Sequence, residues 1–147
     1  MKIVALVATI VAGVALPLQS LVNAKLAGAV GGALLASLAT FLIGSIALTI
    51  IVLLTRANLP SLGVLTPLPW WMWTGGLLGV LFVVVTTLTV PILGATALLV
   101  FLLLGQMGGA IVMDHFAVLA DVARPITWQS CAGIALVLVG AGLVVKG

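Results

Sequence analysis

Few side chains in this chain are able to do chemistry, and they stand far apart. The ionisable groups are Asp114, Asp121, Lys2, Lys25, Arg56, Arg124, Lys146, His115 and Cys131, and there is no Glu. Asp114 and His115 make the densest pair. An ionisable group inside a membrane is a functional hypothesis by default, and histidine changes charge near neutral pH. The pair therefore suits a proton or cation site. It also suits a solvated helix end with Asp114 pairing to Arg124, and the polar connector that follows favours this second reading. No metal site is expected, since neither Cys131 nor Asp121 is spaced to complete one. No cofactor is implied, because the phosphate loop, zinc spacing and Gly-x-Ser-x-Gly elbow are all missing. Ser130, His115 and Asp121 show no spacing that predicts convergence, so the chain does not read as an enzyme.

The neutral polar groups are the other candidates. Gln106 lies within a long apolar stretch. A buried amide in hydrocarbon must be paired, so Gln106 is expected to face protein or a water-filled cavity. It would serve there as a midplane substrate contact or as an interhelical hydrogen bond. Gln19 and Asn23 are four residues apart and share a helical face. With Ser20 they would line a cavity mouth, or simply mark a polar helix end.

The elements that hold these groups follow from composition. Of 147 residues, 65% are hydrophobic and 5% are charged, whereas a soluble domain carries about 25% charged residues. Too few charges are present to cover a soluble surface, so the principal partner of this surface is the lipid bilayer. The five basic residues are scattered singly, so the net charge of +3 is no nucleic-acid footprint. The lone Cys131 excludes an intrachain disulfide.

A membrane helix needs about 20 apolar residues. Charges, prolines and glycines divide the chain into five such spans, 3–22, 31–54, 70–90, 95–113 and 126–145, in a single membrane domain covering 1–147. Span one loosely resembles a cleavable signal, but a chain that is membrane-embedded elsewhere needs none, so the helix is preferred. Trp70, Trp71 and Trp73 follow a proline-rich connector and mark a headgroup-level anchor. From Trp70 to Met113 no charge occurs over 44 residues. As continuous helix this would run about 66 Å, twice a bilayer core, so a turn is expected at Pro91-Ile92-Leu93-Gly94. Continuous apolar runs exclude the alternating strands of a β-barrel. Gly28/Gly32, Gly75/Gly79 and Gly105/Gly109 are small-x-x-x-small pairs that suit close helix packing. The expected fold class is all-α: a polytopic membrane bundle of five transmembrane helices.

Five spans put the two ends on opposite sides. Lys2, Arg56 and Arg124 then share one side, and Lys25 and Lys146 the other. Orientation is normally set by a clear Lys/Arg excess, and a difference of one is hardly a bias. Either the chain inserts one way, or it inserts both ways and opposite copies pair as an inverted repeat.

Several segments together carry a resemblance over essentially the whole chain. They are Gln19-Ser20-Leu21-Val22-Asn23, Trp73 to Gly79, Pro91 to Gly94, Gly105-Gln106-Met107 and Asp114-His115-Phe116. In this order and spacing they resemble the YdcZ family of half-size proteins in the drug/metabolite transporter superfamily. The resemblance implies a multi-pass bacterial inner-membrane protein working as a dimer of oppositely oriented halves, each matching half of a ten-span relative. It favours dual orientation, and the partner would be an identical copy or a related half. Four-span relatives exchange protons through a glutamate in span one; this chain has none, so that mechanism does not carry over. The expected function is secondary transport of a small organic solute. A small ion channel built from the same dimer, or a non-transporting subunit or scaffold, are the alternatives.

Overall fold

The structure is a computed structural model that describes residues 2–118, 123 and 125–146. Its regular elements are all helical among the described residues. They are α1 (Lys2–Val30), α2 (Ala33–Thr55), the short α3 (Leu62–Leu65), a 3-10 turn (Trp70–Thr74), α4 (Gly75–His115) and α5 (Trp128–Lys146). Lipid offers no hydrogen-bond partner, so an apolar segment satisfies its backbone within itself, and the helix does this. Three stretches are long and apolar enough to cross a bilayer: Lys2–Val30, Ala33–Thr55 and Trp70–His115. A shorter apolar helix covers Trp128–Val144. An all-helical fold with several such elements suits a membrane bundle.

The first expected span stops at residue 22, but α1 runs unbroken to Val30. The polar residues Gln19, Ser20, Asn23 and Lys25 therefore lie inside the helix. Glycine ends it. Gly31 and Gly32 have φ of 94° and 143°, backbone that L side chains rarely adopt. Both donate their N–H to Ala27 O, at 3.2 and 2.8 Å, and Ala36 N then bonds Gly32 O at 3.1 Å to start α2. At the other end of α2, Arg56 takes a left-handed conformation with φ 50°. Its N–H caps Leu53 O at 3.2 Å.

The 41 residues of α4 would span about 61 Å as one regular helix. They are interrupted at Gly94, whose φ of 77° and ψ of 162° are non-helical. Helical geometry persists through Pro91, so the break falls at the glycine rather than across the whole Pro91–Gly94 run. Proline removes one N–H, which a membrane helix tolerates; glycine supplies the positive φ. α5 begins two residues later than expected, because Thr127 caps it. Thr127 Oγ1 accepts the Ser130 N–H at 3.3 Å, the usual role of a hydroxyl before the first turn.

The chain forms two compact units, residues 1–91 and 92–147. In the first, α1 packs on α2. α2 also meets the first part of α4, where the Phe41 ring stands 3.5 Å from the Cβ position of Gly79. Val83, Thr86, Thr87 and Val90 form one buried helical face of α4. In the second unit, the Met107 methyl lies 4.0 Å from the Cβ position of Gly133. The buried apolar residues include Ala33, Ala36 and Ala141, while large side chains such as Ile3, Leu54 and Leu136 point outward. The alanines are buried together with Val83, Val90 and Leu98, and small residues at helix contacts suit lipid, where close backbone approach drives packing.

Candidate functional site

Two places in the chain gather polar groups. The first lies between α1 and α2. Ser20 and Asn23 are buried on α1, and Ser37 is buried on α2. Ser20 Oγ donates to Leu16 O at 3.0 Å. Thr40 Oγ1 lies 2.8 Å from Asn23 Oδ1 and 2.9 Å from Ala36 O, tying the two helices together. Asn23 Nδ2, Ser37 Oγ and Thr87 Oγ1 are buried and have no hydrogen-bond partner. An unpaired buried polar group costs about 1–3 kcal/mol, so each such atom calls for an explanation. Ser37 also lines a cavity of ≈ 160 Å³ with Leu34, Leu38, Phe41, Val80 and Val84.

The second place is at the end of α4. Asp114 is exposed and lines a cavity of ≈ 210 Å³ with Ile111, Pro125, Ile126, Thr127 and Ser130. The Thr127 and Ser130 hydroxyls are 2.9 Å apart. This puts a carboxylate beside two hydroxyls and the start of α5, where an anion is favoured by the helix dipole. An adjoining cavity of ≈ 280 Å³ is lined by Met107, Ala110, Ile111, Gln129, Ser130 and Gly133. His115 is exposed, and its ring packs edge-on to Phe116 with centroids 5.0 Å apart. Asp121 and Arg124 lie outside the described residues, so the expected Asp114–Arg124 pair and the Ser130–His115–Asp121 set do too.

The other candidates divide clearly. Gln19 and Asn23 were expected to share a face, yet Gln19 is exposed and Asn23 buried. Ser20, three residues before Asn23, is its buried companion, because the packed stripe of α1 is narrow. Gln106 was expected to face protein or a cavity; within this chain it is exposed midway along the second part of α4. The described residues supply no cover for that amide. Among the paired glycines, Gly79 meets another helix, Gly109 meets only Met113 of its own helix at 3.9 Å, and Gly75 and Gly105 face open space. Trp70, Trp71 and Trp73 are exposed on the 3-10 turn, as headgroup anchors would be. Sequence reasoning missed Ser37, Thr40 and Thr87. The i, i+3 spacing of Ser37 and Thr40 in an apolar helix was the available signal.

Long apolar helices with an outward aliphatic surface define a polytopic α-helical membrane protein. Comparison with known families narrows this class. The chain belongs to the family described as "Putative inner membrane exporter, YdcZ", whose model matches residues 4–143. It is thus an inner-membrane protein of a transporter family. No curated protein and no solved structure matches it.

Proposed function

We propose that the chain is a secondary transporter of small organic solutes, working as a dimer of oppositely oriented five-helix halves within the drug/metabolite transporter superfamily. The observation that carries this reading is the break at Gly94. It divides an apolar helix too long for one crossing into two stretches, which with α1, α2 and α5 make five. An odd number puts the two ends on opposite sides, and a Lys/Arg difference of only one then barely favours either orientation. Two opposed copies would form the inverted repeat on which alternating access rests. The exposed Gln106 and the open Gly105 give a partner copy a polar group to cover and a smooth surface to approach. The reading assigns the chain no enzymatic activity and no cofactor.

The test is solute flux in proteoliposomes, followed by light scattering under osmotic gradients of a panel of small organic solutes. Saturable entry, altered by Gln106→Ala at unchanged protein content, is the expected result. Fast, non-saturating passage of one ion would replace the transporter with a channel. Flux that needs a second chain would make this one a subunit. Orientation is read separately, from a cysteine placed after Lys146 in a Cys131→Ala background. Comparable labelling from both faces by an impermeant thiol reagent is expected; labelling from one face alone would exclude the dual-orientation homodimer.

A further inference from the structure

Most hydroxyls of the helices follow one rule, and two buried ones depart from it. Thr9, Ser20, Thr40, Thr49, Thr55, Thr86 and Thr89 each bond a carbonyl of their own helix, at 2.6–3.1 Å. This is the ordinary way for a hydroxyl to live in an apolar helix. Ser37 Oγ and Thr87 Oγ1 are buried and do not. Ser37 is the more informative of the two, because it stands one turn from Thr40, which meets a third residue with an unpaired buried atom, Asn23.

That amide is only half used. Thr40 has one hydroxyl proton, and two acceptors lie within 2.9 Å of its oxygen. Both contacts are satisfied together when the Asn23 amide is turned to present its NH₂ to Thr40 Oγ1, while Thr40 donates to Ala36 O. Whichever end of the amide meets Thr40, the other end is left buried and unpaired. Asn23 is 3% exposed and Ser37 is 2% exposed. Two side chains more than nine-tenths buried thus keep free hydrogen-bonding capacity near the Gly31–Gly32 turn, Asn23 eight residues (about 12 Å) before Gly31 and Ser37 five residues (about 7.5 Å) after Gly32.

The surroundings choose the kind of ligand. Residues 1–91 contain no Asp or Glu, so a cation would find no counter-charge in this unit. Lys25 is the nearest base in sequence, but two residues turn it by about 200° from Asn23, to the opposite side of α1, and it is exposed. A buried charge without a partner is very costly. The cavity that Ser37 lines is otherwise apolar and measures ≈ 160 Å³, close to the ~150 Å³ that holds one benzene-sized molecule.

We infer that Asn23, Ser37 and Thr40 form a binding site for a small uncharged solute that carries an amide or hydroxyl group on an apolar body. This rests on the transporter reading and names its substrate class. The side chains are closed over in this conformation, so the solute reaches them when α1 and α2 part about the Gly31–Gly32 turn. An empty closed site with unpaired groups is disfavoured, which biases the protein toward opening or toward a bound solute.

Thiol labelling tests the site without needing flux. Ser37→Cys is made in the Cys131→Ala background, since Cys131 is exposed, and is compared with Ser45→Cys, which is exposed on the same helix. A thiol reacts as its thiolate, which lipid around Ser45 suppresses and water entering the opened site allows. The neutral reagent methyl methanethiosulfonate should modify Ser37→Cys at least tenfold faster than Ser45→Cys. Cationic and anionic methanethiosulfonates should modify it at least tenfold more slowly than the neutral reagent. Adding Asn23→Leu should remove the neutral reaction. Equal rates at the two cysteines would overturn the site, and equally fast charged reagents would overturn the uncharged class. If Ser37→Cys fails to accumulate, Thr40→Cys is read in the same way with the same two outcomes. Labelling as expected with no solute flux would retain the site and remove the transporter reading; flux without labelling would do the reverse.

Discussion

The two compact units hold their polar groups in opposite ways. In residues 1–91, Ser20, Asn23, Ser37 and Thr87 are buried, in a unit without a single acid. In residues 92–147, Gln106, Asp114 and His115 are exposed. An amide buried within the chain has already lost its water and must find partners there. An exposed amide on an apolar helix has not been provided for, and needs a partner surface. Under the proposed transport reading, the first unit would hold the ligand and the second would meet another chain.

The largest expected effect sets the two units directly against each other. Asn23→Leu should lower solute flux at least tenfold, with membrane accumulation kept, while Asp114→Asn should change it by less than twofold. The reverse ranking would move the ligand site to the second unit and revive Asp114 as a coupling group. Next comes the backbone. Gly32→Ala forces a side chain onto φ 143°, and should cost about 1–3 kcal/mol, seen as a lower thermal midpoint in detergent. Gly28→Ala, on helical backbone with nothing within 4 Å of the new Cβ, should raise that midpoint or leave it unchanged. Equal behaviour of the two would show that the α1–α2 turn is not fixed as described.

In the second unit, Thr127→Ala removes the cap of α5 and should cost about 1 kcal/mol, measured in the same melt. A larger loss would mean that the hydroxyl also serves the Asp114 cavity. The smallest effect belongs to Gly79→Ala. Its Cβ would stand 3.5 Å from the Phe41 ring, an ordinary contact, so stability should shift by less than about 0.5 kcal/mol. Gly79→Leu, which has no such room, should be clearly worse. If both substitutions were neutral, α2 and α4 would not pack where Phe41 meets Gly79.

Much of the architecture was legible in the residues. The stop after α2 was carried by Thr55-Arg56-Ala57-Asn58, and the interruption of the long apolar run by Pro91 to Gly94. The interruption was placed less sharply, because proline and glycine both signal it and only glycine adopts the φ of 77°. The end of α1 was misplaced for a related reason. Gln19, Ser20, Asn23 and Lys25 look like a surface, yet such a cluster is compatible with a helix that buries one of its faces. The glycines eight residues further on are what end it.

The sequence by itself determined the solvent, the helical class and the approximate lengths, because hydropathy and backbone hydrogen bonding settle these locally. It also determined the scarcity of charge that limits what a ligand can be. Only the tertiary structure decided that Asn23 is buried while Gln19 is not, that Ser37 and Thr40 join it, and that Gln106 faces outward. A soluble helix announces its buried side by a stripe of apolar residues. These helices are apolar all round, and lipid is as apolar as the neighbouring helix, so the buried face is chosen by close packing and cannot be read from composition.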